Sequence, residues 1–254
     1  MPVKYIIFDM DDTLLNDHRQ VTPYTLEVLK KLQSMGHKLV CNTARSKSFN
    51  QKYFDQIHPD YAILNGGSLI IDKDENVIFS AEVDAQTLHR VLADLLEITD
   101  DLFVQTQDCF YSHKGKRTIQ AAVPFDFSAE KFPFPAQKIV TDLKDDKQAQ
   151  EIADKYNLAF TTYMGGTFRR YNHIGATKAL GNRKLMELTG STLDDVIAFG
   201  DDYGDLDMLR EAGVGVMMKN GRPELLGQTS HISAYTNDED GVARFLVKYF
   251  NMND

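Results

Sequence analysis

An apolar run, Tyr5-Ile6-Ile7-Phe8, stops at Asp9-Met10-Asp11-Asp12-Thr13-Leu14-Leu15. Aromatic and β-branched residues closed by polar ones predict a buried strand. Asp9 and Asp11 are two apart at its carboxyl end, so the period-two alternation projects both carboxylates from one side. Three aspartates within four positions are a poor way to build a core and a good way to hold a divalent cation. Such a strand belongs in an open α/β sheet, where ligands bind beyond the carboxyl ends of the strands.

The residues that follow keep that grammar. Helix 23–35 has Thr22 as N-cap, Pro23 at its first position, Gly36 just past its end, and Leu26, Val28, Leu29 and Leu32 on an apolar face. Strand His37–Thr43, a short helix near 46–54 and strand Tyr61–Leu64 come next. Leu69–Ile71 and Val77–Phe79, joined by the charged turn Asp72–Asn76, read as a hairpin. Further on, a helix over 177–189 stops at Gly190, and strand Val196–Phe199 runs into Gly200-Asp201. A helix over 205–212, strands Val214–Met217 and His231–Tyr235, and a last helix over 240–250 complete the pattern. Buried strands alternating with amphipathic helices predict a doubly wound, mostly parallel (Rossmann-like) α/β core over 1–83 and 174–254.

Residues 84–173 read differently. Helix 85–98 leads into two long alternating strands, Leu102–Ser112 and Arg117–Val123, then a Pro/Phe-rich link from Pro124 to Pro135. Strand 138–143, helix 145–156 and strands near 158–164 and 167–172 follow. Helices with antiparallel hairpins predict an inserted α+β module, its two αββ-like halves forming a weak repeat.

Composition narrows the function classes. A net charge of -9 removes general phosphate attraction as a way to hold nucleic acid, so an anionic ligand needs local positive charge. Cys41 and Cys109 form no disulfide framework, which points to a reducing cytoplasm. No apolar run approaches a membrane span, and no signal-type leader precedes the first strand. The expectation is a cytoplasmic protein, monomer or homodimer, acting on a small molecule rather than on nucleic acid or membrane.

The strand ends carry the chemistry. The first delivers Asp9, Asp11 and Thr13; the second Asn42, Thr43 and Arg45; the third Asn65-Gly66-Gly67. The strand at 196–199 delivers Gly200-Asp201-Asp202-Tyr203-Gly204-Asp205, and the one at 214–218 delivers Lys219-Asn220-Gly221. If the first and fourth of these strands are adjacent, their carboxylates are neighbours. Hard oxygen ligands in small number suit Mg²⁺, which keeps several waters and accepts a substrate phosphate. Such an ion keeps one carboxylate ionised while a close partner has reason to hold a proton. Covalent phosphoryl transfer needs that pair: one group attacks and the other protonates the leaving alkoxide. Lys178 supplies positive charge from a helix's first turn, where the macrodipole disfavours a cation. Thr43 offers a hydroxyl and backbone amides to phosphate oxygens.

These residues resemble the haloacid dehalogenase-like phosphatase superfamily. Phe8-Asp9-Met10-Asp11-Asp12-Thr13-Leu14 matches its DxDx(T/V) motif, Thr43-Ala44-Arg45 looks like the second motif, Lys178 the third, and Gly200–Asp205 the fourth. Asn65-Gly66-Gly67, Asn220 and Asp240-Gly241-Val242-Ala243 look like the Cof-type branch, which places a large α/β cap between the second and third motifs. The resemblance implies an aspartyl-phosphate on Asp9, with Asp11 as general acid and then base. It implies that Thr43, Ala44, Arg45, Asn65, Gly66, Lys178 and Asn220 bind substrate. It also implies Mg²⁺ on Asp9, the Asp11 backbone carbonyl and Asp201, with Asp205 supporting. The implied substrate is a small phosphorylated metabolite, a sugar phosphate before a nucleotide or cofactor phosphate, selected by the cap.

Three positions depart from that pattern. Asp12 and Ala44 stand where the family has glycine, and Gly204 stands where a GDxxND motif has asparagine. The last would weaken support of the metal site. Two other readings therefore stay open: a phosphometabolite-binding protein with weakened catalysis, and a phospho-acceptor signalling module. Elsewhere, Asp202 reads as solvated or as support for a metal ligand, and His113–Arg117 as a solvated hairpin tip. Phe125, Phe127, Phe132 and Phe134 read as packing for the link.

Overall fold

The computed structural model describes residues 2–107, 109–115, 122–163 and 168–252. In chain order the elements are β1 (Tyr5–Phe8), α1 (Pro23–Ser34), β2 (Lys38–Asn42), α2 (Lys47–Ile57), β3 (Tyr61–Leu64), β4 (Leu69–Asp72) and β5 (Val77–Ser80). Then follow α3 (Ala85–Leu96), β6 (Leu102–Gln105), β7 (Phe110–His113), β8 (Val123–Phe125), β9 (Lys138–Thr141), α4 (Asp146–Tyr156), β10 (Leu158–Tyr163) and β11 (Phe168–His173). The chain ends with α5 (Lys178–Thr189), β12 (Val196–Gly200), α6 (Leu206–Glu211), β13 (Val214–Met217), β14 (His231–Ile232) and α7 (Gly241–Tyr249).

Two compact units result: Met1–Phe79 with Thr177–Asp254, and Ser80–Ala176. The second begins before residue 84 because Val83 exchanges backbone hydrogen bonds with Ala136 (2.8 and 2.9 Å).

The first unit is the doubly wound α/β core. Its sheet has the order β14-β13-β12-β1-β2-β3-β4-β5. From β14 to β3 neighbouring strands run parallel, and β4 turns back antiparallel on β3. β1 takes a central place because it is apolar to both faces. Ile6 and Phe8 pack with Leu29, Leu32, Phe199 and Leu246, whereas Tyr5 and Ile7 pack with Leu185, Met186 and Leu209. β1 lies beside β12 with Phe8 opposite Phe199, so Asp9 and the Gly200-Asp201 turn leave the sheet at one level.

The second unit has a six-stranded sheet of order β10-β11-β9-β6-β7-β8. Ile139, Tyr171 and Val104 from its strands share a core with Leu88, Val91 and Leu95 of α3 and Ala149 and Ile152 of α4. Phe127 and Phe132 fill the same core, packing edge to face at 5.4 Å.

Several boundaries differ from the sequence expectations. Leu102–Ser112 is a hairpin and not one strand: Gln105 pairs with Phe110, the Thr106 N–H donates to the Cys109 carbonyl (2.9 Å), and the Cys109 N–H donates to the Thr106 hydroxyl (3.1 Å). Arg117–Val123 falls largely outside the described residues, as do Lys116 and Arg117 of the basic cluster; β8 begins only at Val123 and takes in Pro124 and Phe125. The ends of the strands near 158–164 and 167–172 also reach residues outside the description. α2 continues past 54 to Ile57, where His58 turns left-handed (φ 48°). β14 stops at Ile232 because the Ser233 hydroxyl donates to the Tyr235 carbonyl (2.8 Å) and bends the chain. Among the described residues no helix is long and apolar enough to cross a membrane.

Candidate active site

The Asp9 N–H donates to the Phe199 carbonyl (3.1 Å), extending the β1–β12 ladder by one residue. The chain then coils tightly, with the Leu15 N–H on the Met10 carbonyl (2.9 Å) and Met10, Leu14 and Leu15 buried beneath. The coil puts Asp12 at φ 55°, a left-handed position that glycine takes most easily and aspartate tolerates. Two asparagines bracket this loop. The Asn220 Nδ2 donates to the Asp12 carbonyl (2.7 Å), and its Oδ1 accepts from the Asn237 N–H (2.9 Å). The Asn237 Nδ2 in turn donates to the Leu15 carbonyl (3.0 Å). Asn220, placed by the sequence reading among substrate-binding residues, thus uses one end of its amide on the loop and the other on Asn237.

Asp201 and Asp205 come from the turn after β12. The Asp205 Oδ2 accepts from the N–H groups of Asp201 (3.1 Å) and Asp202 (3.2 Å). Gly200 makes room for it: a Cβ there would lie 2.4 Å from the Asp205 Cβ. The Thr13 hydroxyl donates to the Asp201 Oδ1 (2.7 Å), tying the two strand-end loops together. The Lys178 ammonium reaches in from the first turn of α5, 2.9 Å from the Asp9 Oδ1 and hydrogen-bonded to the Asp205 Oδ1. Asp9, Asp201 and Asp205 each present an oxygen within 4.8 Å of the others.

The cluster is electrostatically crowded. Burial, with Asp205 adding to it against the pull of Lys178, pushes Asp9 up to about 7. Burial, with the charges of Asp205 and Asp9, pushes Asp201 up to about 8. Burial alone would lower Lys178, but Asp205 and Asp9 outweigh it and hold the ammonium above the usual lysine value. Three carboxylates around one ammonium are short of positive charge, and hard oxygen donors in this number fit a Mg²⁺ ion.

Thr43 is buried at the end of β2, and its carbonyl accepts from the Gly66 N–H (2.9 Å). The Arg45 carbonyl accepts from the Asn65 N–H (3.0 Å), so the Thr43–Arg45 and Asn65–Gly66 turns form one joined rim. Ala44 is exposed on it. Asp11 does not join the carboxylate cluster. Its carboxylate takes a two-pronged pair from Arg45 (Nε to Oδ2, 2.7 Å) and another contact from Arg19. Tyr53 supports both arginines, its ring 5.5 Å from the Arg45 guanidinium and its hydroxyl on the Arg19 carbonyl (3.1 Å). Sequence reasoning overlooked Arg19 and Asn237. Each lies in a run of polar residues, with no spacing signal to mark it.

A catalytic-type carboxylate and lysine cluster at the joined strand ends of a doubly wound core with a large insert defines a class. The chain belongs to the haloacid dehalogenase-like hydrolases, whose family pattern matches residues 6–246. It is 27% identical to a 5-amino-6-(5-phospho-D-ribitylamino)uracil phosphatase of Bacillus subtilis, over 97% of each chain. A second Bacillus subtilis phosphatase of that name is 26% identical, over 96% of this chain and 94% of its own. A phosphatase of the haloalkanoate (HAD) superfamily from Bacteroides thetaiotaomicron has the same fold, with a TM-score of 0.83 and 22% identity over 98% of this chain and 95% of its own.

Proposed function

We propose that the protein is a Mg²⁺-dependent phosphatase that hydrolyses a small phosphorylated metabolite through an aspartyl-phosphate on Asp9. The observation that carries this reading is the close set of Asp9, Asp201 and Asp205 oxygens around the Lys178 ammonium. Asp9, the Asp11 backbone carbonyl and Asp201 would hold the ion, with Asp205 supporting. When bound, the ion supplies positive charge that keeps Asp9 ionised and offsets the phosphate charge.

Asp9 attacks phosphorus as the bond to the leaving oxygen breaks, and Asp11 gives that oxygen its proton. Asp11 then takes a proton from water, which attacks the acyl phosphate and releases inorganic phosphate with Asp9 regenerated. Lys178, the Thr43 hydroxyl and the backbone of the Thr43–Arg45 and Asn65–Gly66 turns hold the phosphoryl oxygens. To act as acid, Asp11 exchanges its Arg45 and Arg19 partners for the leaving oxygen. The inserted unit, Ser80–Ala176, is read as the part that selects the leaving group. Two relatives are named for a substrate with a phosphorylated ribityl chain, which favours a sugar-like or polyol phosphate here.

A panel of sugar, polyol, nucleotide and cofactor phosphates, assayed with Mg²⁺ and with EDTA, tests the reading. The expected result is EDTA-sensitive phosphate release, fastest on a sugar-like phosphate. Release that ignores EDTA, or no release from any compound, overturns it.

Gly204 supports a second reading, a binding protein with weakened hydrolysis. A Cβ at Gly204 would meet nothing within 4 Å, so asparagine fits there. On the weakened-site reading Gly204→Asn raises Mg²⁺ affinity or turnover by about 10-fold or more. Unchanged kinetics in that variant remove the second reading.

A further inference from the structure

We infer that Asn42 is a positioning residue that sets the Lys178 ammonium against the Thr43 turn, and that this task, rather than stability, explains its presence. The inference rests on the phosphatase reading above. Asn42 is the last residue of β2, immediately before Thr43, and is fully buried. Strands buried on both faces of a parallel sheet are usually apolar throughout. Here the Asn42 Nδ2 donates to the Lys178 carbonyl (3.0 Å) and to the Asn182 Oδ1 (2.8 Å). Residues 178 and 182 stand one above the other on a helix face, so one amide grips the first turn of α5 at two points.

Two further contacts of this turn are steric, while the ammonium itself is held by Asp9 and Asp205. A Cβ on Gly67 would lie 2.2 Å from the Thr177 carbonyl oxygen, and one on Gly181 would lie 2.6 Å from the Ile63 Cγ2. Close approach of this kind sets the distance of the helix from the β3–β4 turn. It leaves rotation about the helix axis and sliding along it unspecified. The two hydrogen bonds from Asn42 are directional and specify both. The Lys178 ammonium is held on both Asp9 and Asp205, so a shift of its Cα must strain the stem or loosen one of those contacts. Because Asn42 is covalently joined to Thr43, the same residue fixes the hydroxyl and the ammonium relative to each other.

The arrangement is costly for the fold. The Asn42 Oδ1 and the Asn182 Nδ2 are buried without a hydrogen-bond partner among the described residues. Neither atom has a protein partner there, and a buried polar atom without one is costly. Valine is somewhat larger than asparagine and alanine somewhat smaller, so a Val/Ala pair keeps the combined volume and removes both losses. A pair that served the core alone would be bettered by that exchange.

The test uses the whole protein and three readouts: melting temperature, kcat/KM on para-nitrophenyl phosphate with Mg²⁺, and inhibition by orthovanadate. In the double variant Asn42→Val/Asn182→Ala, the expected result is a melting temperature at or above wild type. Its kcat/KM falls on the order of 100-fold, as a misplacement near 1 Å would cause, and orthovanadate inhibition weakens in parallel. Asn42→Ser is too short to reach α5 and loses rate similarly, so it carries the test if the double variant misfolds. Well-folded variants with wild-type kcat/KM and orthovanadate inhibition overturn the inference, as does a rate loss that only tracks loss of folded protein. A wild-type protein that neither hydrolyses the aryl phosphate nor responds to orthovanadate overturns the phosphatase reading itself.

Discussion

Asp9→Asn is expected to lower kcat for an aryl phosphate by about 10⁴-fold or more while the protein stays folded. The size of the loss follows from the role. Removing a covalent nucleophile takes away the reaction path, as distinct from one contact along it. The intact fold follows from the electrostatics. Asparagine has nearly the same shape, Lys178 keeps its hydrogen bond to Asp205, and the crowded site loses one of three like charges. Burial raises Asp9, which means that folding disfavours its ionised form at neutral pH. In EDTA the variant should therefore melt at or above the wild-type temperature. With Mg²⁺ the order should reverse, because the wild type has the additional carboxylate for the ion. Retained turnover in a folded Asp9→Asn protein would rule out the aspartyl-phosphate.

Gly67→Ala should be among the most damaging single-methyl changes in the core unit, at about 2–4 kcal/mol. Two effects add. Gly67 sits at φ 107°, which an L side chain rarely adopts. Its added Cβ would also meet the Thr177 carbonyl oxygen at 2.2 Å and the Thr177 nitrogen at 2.8 Å. Those atoms are backbone, so no side-chain rotation relieves the overlap. Thr177 is the N-cap of α5, its hydroxyl accepting from the Leu180 N–H (3.2 Å), and the next residue is Lys178. The helix start must retreat and take the ammonium with it, so activity should fall further than stability alone explains. Gly36→Ala is the control. Gly36 has φ 91° with nothing within 4 Å, so only the backbone strain applies, about 1–2 kcal/mol. Urea unfolding of the two variants decides the matter, and equal losses would refute the close-approach argument.

Much of the core was legible because its signals are local. β1 announces itself by four consecutive buried residues, α1 by Thr22, Pro23 and Gly36, and both fall where the pattern places them. The nearness of Asp9 to Asp201 was legible only conditionally. It needs β1 beside β12, and that pairing joins segments far apart in the chain. The hairpin at 102–113 was hidden because its turn carries no glycine or proline, and Thr106 looks like any strand residue. β14 was overread because Ser233 bends the chain through a side-chain bond that no periodicity records. In the candidate site, the spacing of Asp9, Asp11, Thr43 and Lys178 was visible in the motifs. The contacts that hold those loops were not: Asn42 meets Lys178 across 136 residues, and Asn237 meets Leu15 across 222. Their meaning lies in the partner, and the partner is supplied by the fold.

The asparagine bracket also sets an order of events during synthesis. The segment that holds Asp9 and Asp11 leaves the ribosome well before its partners. The groups that pin it, Asp201 on Thr13, Asn220 on Asp12 and Asn237 on Leu15, follow 188, 208 and 222 residues later. Contacts this distant in sequence close late, after the intervening chain has folded. A nascent chain can therefore display β1 and its aspartates long before it can use them. The bracket closes only once Asn237 has been made, so a product that stops before it lacks that hold on the loop.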